Sequence, residues 1–209
     1  MPAASPTADP RIAELLTYWL GAPEPTDADA LARQSLWFTK SSATDAEIGA
    51  RFGPLVEQAL SGALDGWAQA PRGRLALIVL LDQFTRNLFR GTPRSFAGDT
   101  QALQLALDGI LEGHDMHPSV PGVARIFCYL PLEHAEDGPL QAQSVALFNK
   151  LHELATPETR SFFAGTLDYA HKHQEVITRF GRFPHRNPIL GRESTPAERE
   201  YLAQPGAGF

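Results

Sequence analysis

PRGRLALIVLLDQFTRNLFR, residues 71–90, decides the fold. Pro71 suits a first helical turn, where its missing N–H would have no intrahelical partner anyway. Gly91 supplies the stop. Between them Leu75 to Leu81 are seven apolar residues in a row, bounded by Arg74 and Asp82. A helix that is apolar all round must be covered on every side. The stretch therefore predicts a helix through the centre of an all-α domain. A membrane span needs about 20 apolar residues, so the run belongs to a core. The polar second half sets the functional question. Asp82 and Arg86, Gln83 and Asn87, and Arg86 and Arg90 stand at i,i+4 and share faces. At the end of a buried helix these groups need partners, because an unpaired buried charge is costly. Either Asp82 and Arg86 form an ion pair at the helix exit, or Asp82, Gln83, Arg86 and Asn87 make one wall of a ligand pocket.

Helical signals extend outward in both directions, and no stretch alternates with period two. Asp9-Pro10 opens a helix carrying Ile12, Leu15, Leu16 and Trp19 on one face, with Gly21 as its stop. A short helix is expected from Thr26 to Phe38. Thr44 and Glu47 have the spacing of a capping box ahead of Ile48, Phe52, Leu55, Val56 and Leu60. Further helices are expected over 99–111, over 123–137 with Pro131 as a kink or restart, from Gly138 to about Leu154, and from Pro157 to Phe180. Thr195, Pro196 and Glu198 form a second capping-box start. Helices joined by short loops pack as antiparallel pairs. About four such pairs, stacked as a bundle or superhelix, are expected, and no fixed repeat period is visible.

The chain has 209 residues, the length of one domain. Residues 9–203 are expected to form it, with flexible ends at 1–8 and 204–209. The net charge of −6 argues against a general nucleic-acid binder. Although Arg outnumbers Lys 15 to 3, that imbalance is discounted as a functional signal. The single cysteine, Cys128, excludes an intrachain disulfide, and its setting in IFCYL reads as a core thiol. MPAASPTADPR lacks the basic-then-apolar order of a secretory signal. A cytoplasmic location is expected, with no membrane and no nucleic-acid partner.

Two more polar blocks accompany the central helix. In YLPLEHAED, residues 129–137, Glu133, His134 and Asp137 fall within one helical turn after Pro131. Two carboxylates and an imidazole are suited to acid–base work. The spacing matches none of the familiar His/Glu metal motifs, so no metal and no cofactor are expected. A structural role, with Glu133 or Asp137 paired to an arginine from elsewhere, stands beside catalysis. In RFGRFPHRNPILGR, residues 179–192, Arg182, Arg186 and Arg192 surround His185 and Asn187 after a helix end at Gly181. Arginine holds carboxylates and phosphates with paired hydrogen bonds. The FP and NP steps force extended backbone and stiffen the loop. On the preceding helix, His173 lies on an apolar face with Tyr169, Val176, Ile177 and Phe180. It reads as a core histidine or as part of the same site.

At these blocks the chain resembles a bacterial family of unknown function, DUF924. The resemblance rests on LLDQFTRNLFRGTPRSFAGD, YLPLEHAED with Gln141, RFGRFPHRNPILGRESTPAE and WFTKSSATDAEIGARFGPLVEQALSG. It runs from about Arg11 to Leu202. Ala135 stands where Ser is frequent in the family, which weakens any case for a hydroxyl nucleophile there. The resemblance implies an all-α superhelix of tetratricopeptide type without the sequence repeat. It implies no reaction and no catalytic residues.

Three functions remain open on the sequence. The first is binding of a small carboxylate or phosphate, or of a peptide, in a cleft built from Asp82, Gln83, Arg86, Asn87, Asp137, His173, Arg182, Arg186, Asn187 and Arg192. The second is a hydrolase or transferase with Glu133, His134 or His185 as acid or base. The third is a protein-interaction scaffold in which the polar blocks are only structural. The oligomeric state is not readable.

Overall fold

A computed structural model describes residues 9–208 of the chain; the expected flexible segment 1–8 and Phe209 lie outside the described residues. Among those residues the structure is all-α, with no strand. Helix α1 (Pro10–Leu20) starts where the Asp9 side chain accepts from the Arg11 amide, and it ends at Gly21 with φ 95°. The expected helix over 26–38 is two short ones, α2 (Asp27–Leu31) and α3 (Gln34–Phe38). The break has a use. Arg33 Nη2 reaches the Tyr18 carbonyl at 2.8 Å and Trp37 Nε1 the Trp19 carbonyl at 2.9 Å. Carbonyls at the end of α1, which lack intrahelical donors, are thereby satisfied.

Helix α4 (Ser42–Leu60) begins one turn before the expected Thr44 start. Ser41 is the residue still outside the helix, and its hydroxyl accepts from the Thr44 amide. Thr44 is already helical and cannot cap. A 3₁₀ turn (Asp65–Gln69) leads to the central helix. It comprises α5 (Pro71–Ile78), a π-helical turn (Val79–Phe84) and α6 (Thr85–Leu88). Leu75, Ala76, Leu77, Val79, Leu80, Leu81 and Phe84 are all buried in the main core. Phe84 meets Trp19 and Phe52 at ring separations of 5.2 and 5.3 Å. Full burial of each large side chain contributes about 1.5–3 kcal/mol relative to exposure, so this segment is the axis of the domain.

The remaining helices are α7 (Asp99–Leu111), α8 (Ile126–Glu133), α9 (Gly138–Glu153), α10 (Arg160–Phe180), α11 (Asn187–Leu190) and α12 (Pro196–Leu202). Pro131 lies inside α8, which stops two residues later, short of the expected Asp137. Asp137 instead caps α9 by accepting from the Leu140 amide at 2.9 Å. Helix α10 starts at Arg160, not Pro157, because residues 156–159 close a turn in which Thr159 Oγ1 accepts from the Thr156 amide. Helix α12 has the expected capping box of Thr195 and Glu198. After α12 the chain turns back, and the Gly208 amide donates to the Tyr201 hydroxyl at 3.4 Å. Among the described residues no helix is long and apolar enough to cross a membrane.

Candidate functional site

The site grows from the π turn. A π turn carries one extra residue per turn and disturbs the regular carbonyl ladder. Side chains take up acceptors at this point: Thr85 Oγ1 donates to the Leu81 carbonyl at 2.7 Å and Arg86 Nη1 to the Asp82 carbonyl at 2.6 Å. Gly98 is pressed against the same turn. A Cβ there would stand 2.2 Å from the Leu81 oxygen, so only a hydrogen fits. This contact brings the start of α7, with Asp99, beside Arg86.

Asp82, 1% exposed, is the hub. Its Oδ1 accepts from His134 Nδ1 at 2.7 Å and lies 3.1 Å from Arg86 Nη1, while Oδ2 accepts from Gln83 Nε2 at 2.5 Å. Burial alone would raise its carboxyl pKa. The Arg86 and His134 groups beside it instead hold it well below the usual carboxylate range. Asp82 is therefore an anion, and the proton between it and His134 sits on Nδ1. Burial and the Arg86 charge lower the pKa of His134 against the pull of Asp82. The neutral imidazole thus keeps its Nε2 lone pair, and Nε2 has no hydrogen-bond partner among the described residues. A carboxylate that fixes the tautomer of a histidine base is a known catalytic arrangement.

Arg86 is held between two carboxylates, since it also grips Asp99 with two bonds of 2.9 and 3.2 Å. Arg186 is not. Of the five N–H groups of a guanidinium, it hydrogen-bonds one, from Nη2 to the His134 carbonyl at 3.0 Å. Its Nη1 is 3.7 Å from Asp99, and its buried Nε has no partner. Phe96 and Phe183 pack on the guanidinium at 4.8 and 4.5 Å. Burial and then the Arg86 charge lower its pKa to about 10, which still leaves it cationic at neutral pH.

His134 and Arg186 open on a shared depression of about 330 Å³. It is lined by Asp99, Thr100 and Leu103 of α7, by Pro131, His134 and Ala135 at the end of α8, by Glu136, Asp137 and Leu140 around the start of α9, and by Arg186. This volume is in the range of small-molecule sites. A tighter apolar cavity lies between α5 and α7, beside Cys128, with room for at most one water. Burial pushes the Cys128 thiol up to about 12, so it is inert.

Behind the pocket lies a more deeply buried pair. Glu133 Oε1 is 3.1 Å from His173 Nδ1, which also lies 2.9 Å from the Tyr169 carbonyl. Burial, and then the Asp82 charge, push Glu133 up to about 8, while burial drives His173 down to about 3. At neutral pH both are uncharged, so this is a carboxylic acid beside a neutral imidazole. His185 is part of the same layer and stacks on Phe183 at 5.6 Å. Burial first, and then the Arg186 charge, take its pKa down to about 4; Lys40 adds to this from the N-terminal block. Among the described residues no cluster of His, Cys, Asp and Glu is arranged to hold a metal ion.

The residues selected from sequence thus separate into two groups. Asp82, Gln83, Arg86, His134, Arg186 and, at the rim, Asp137 converge, with Glu133, His173 and His185 behind them. The others are committed elsewhere. Asn87 donates to Asp45 at 2.7 Å, while Gln83 donates to Asp82. Arg182 holds Glu198 with bonds of 2.7 and 2.9 Å, and Arg192 holds Glu136 with bonds of 2.6 and 2.9 Å. Asn187 is wholly buried, donating to Ser194 and accepting from Arg192. The acids that answer the loop arginines are Asp99, Glu136 and Glu198, none of which was selected. Asp99 and Glu198 are legible in sequence only as helix starts. Thr100, Phe96 and Lys40 were also missed, because they come from other helices and loops.

The DUF924 model, described as a bacterial protein of unknown function, matches residues 15–206. The chain is also similar to a solved structure of a protein of unknown function, ATU0120 from Agrobacterium tumefaciens. Identity is 37%, the TM-score is 0.78, and the match covers 93% of this chain and 97% of that one. No curated protein matches the chain.

Proposed function

The chain belongs to the bacterial family DUF924, and for it we propose a small-molecule site in which Arg186 holds a carboxylate or phosphate and His134 acts on the bound molecule as a general base. The observation that carries this reading is that both groups keep unused capacity and face one depression. Asp82 fixes the His134 ring and compensates the imidazolium that forms when Nε2 takes a proton. Arg186, partly desolvated between Phe96 and Phe183, offers several N–H donors to an oxyanion. Glu133 is too deep to touch such a ligand and belongs to the support of the site. The scaffold reading fits less well, because it gives no role to the depression that Arg186 and His134 share.

Diethyl pyrocarbonate modification, mapped residue by residue by mass spectrometry, tests the reading. It attacks neutral imidazole, so His134 is expected to react, and acetate or inorganic phosphate is expected to slow that reaction. Arg186→Gln should abolish the protection while leaving the unprotected rate within about twofold, a change worth about 0.4 kcal/mol. If no anion protects His134 in the wild-type protein, the reading is wrong.

A further inference from the structure

We infer that the ligand of this pocket is zwitterionic, an aminocarboxylate or aminophosphate whose anionic end sits on Arg186 and whose ammonium sits on Asp137. This deepens the function proposed above and rests on it. Three carboxylates line the depression: Asp99, Glu136 and Asp137. Two are fully used. Both oxygens of Asp99 accept from Arg86, and both oxygens of Glu136 accept from Arg192, with the Phe183 amide adding a further bond to Oε1 at 2.8 Å. Asp137 is different. Its Oδ1 accepts from the Leu140 amide, and its Oδ2 has no partner among the described residues. The depression therefore presents one under-used cation, Arg186, and one under-used anion, Asp137, with the His134 imidazole also in its wall.

The charge balance points the same way. The lining groups and those bonded to them comprise the carboxylates of Asp82, Asp99, Glu136 and Asp137 against the guanidiniums of Arg86, Arg186 and Arg192. The surroundings are already negative by one charge, so a bare anion adds to an excess. A zwitterion leaves the total unchanged and gives Asp137 a cation at close range. A free amine without an acidic end would forgo Arg186, which lines the depression with a single hydrogen bond of its own.

The test is a titration by calorimetry, with NMR shifts as a second readout, of glycine, β-alanine, acetate, inorganic phosphate and ethylamine against the full chain. Asp137→Asn and Asp137→Ser are the informative variants. Both side chains cap helices as well as Asp does, so α9 should keep its start and the melting temperature should hold. At least one aminocarboxylate should bind about tenfold more tightly than acetate, about 1.4 kcal/mol. Either Asp137 variant should bring it down to the acetate level without weakening acetate itself. Arg186→Gln should weaken both; Arg186→Lys serves if that variant unfolds. If acetate or phosphate binds the wild type as tightly as every aminocarboxylate, or if the Asp137 variants weaken acetate equally, the zwitterion assignment falls while the anion seat stands. If no probe binds the wild-type protein, both fall.

Discussion

Replacing Glu133 with Gln should make the protein less sensitive to alkali, by an amount the structure sets. Glu133 is 3% exposed, its Oε2 has no partner, and burial with the nearby Asp82 charge raises its pKa from an ordinary 4.5 to about 8. Between those values the folded chain keeps a proton that the unfolded chain has already released. The native state then binds more protons than the unfolded state, so stability falls as pH rises. Glu133 favours the fold at low pH, and this advantage is lost progressively as pH rises from its unfolded pKa to its folded one. The histidines have the opposite sign: His173 and His185 are lowered to about 3 and about 4, so they oppose Glu133 below the unfolded histidine pKa near 6.5. From about pH 6.5 to 8 the contribution of His134, His173 and His185 dies away and is common to both proteins, so the difference between wild type and variant isolates Glu133. Cys128, also raised, adds to the loss only once the unfolded thiol ionises, near pH 8.5.

Over that window of about 1.5 pH units, at about 1.4 kcal/mol per unit, the wild type should lose about 2 kcal/mol relative to the Glu133→Gln protein. Gln is an isosteric stand-in for the neutral acid and cannot ionise. The Glu133→Gln protein should therefore lack that loss over the same range. Urea unfolding followed by far-ultraviolet circular dichroism at pH 6.5, 7.2 and 8.0 measures this. With a slope of about 2 kcal/mol per molar urea, the midpoints of the two proteins should move relative to each other by about 1 M. Parallel pH profiles for the two proteins would refute the claim that Glu133 is held neutral, and with it the neutral-pair account of Glu133 and His173.

Gly98→Ala should destabilise the fold by about 2–4 kcal/mol, because a methyl group must displace the Leu81 carbonyl and push α7 off the π turn. It should also remove anion protection of His134, since Asp99 and the pocket wall move with α7; a variant with wild-type melting and protection would show that the contact is slack. Asn87→Ala should cost about 1 kcal/mol by urea unfolding through the lost bond to Asp45. It should leave ligand protection of His134 intact, and a loss of protection would put Asn87 back in the site.

The all-α class was legible because its signals are local. Seven apolar residues in succession cannot be half-exposed, and Leu75 to Leu81 are indeed buried throughout. The start of α12 was legible for the same reason, because the capping hydroxyl of Thr195 and the carboxylate of Glu198 lie within one turn of each other. Two failures have equally physical causes. The capping spacing of Thr44 and Glu47 is genuine, but Ser41 offers the same hydroxyl earlier and the helix begins at the first usable cap. The π turn is invisible because it leaves the composition of residues 79–84 unchanged. What produces it is tertiary: Gly98 against Leu81 and the buried pairing of Asp82 with His134. An expectation built on regular i,i+4 faces therefore keeps Asp82 with Arg86 but loses Gln83 with Asn87.

The arginine-rich loop shows what spacing alone leaves open. Its sequence poses a question of supply and demand: several guanidiniums need acids, and Asp82, Glu133 and Asp137 were the acids in view. The fold satisfies the demand with others. Arg182 takes Glu198, Arg192 takes Glu136, and Arg86 takes both oxygens of Asp99. Each of these carboxylates is consumed by one planar fork, so it has little left to give. Arg186 arrives beside Asp99 after Arg86 has used it, and must settle for 3.7 Å and a single carbonyl. The shortage is thus a matter of stoichiometry and geometry, and not of burial alone. Glu133 does not relieve it, because that acid is protonated beside His173. Asp137 does not relieve it either, because it is spent on one side as the cap of α9 and faces the depression on the other. The buried Arg186 and the solvent-facing oxygen of Asp137 border one depression with His134 and do not pair with each other. That separation can be filled by a ligand carrying both charges.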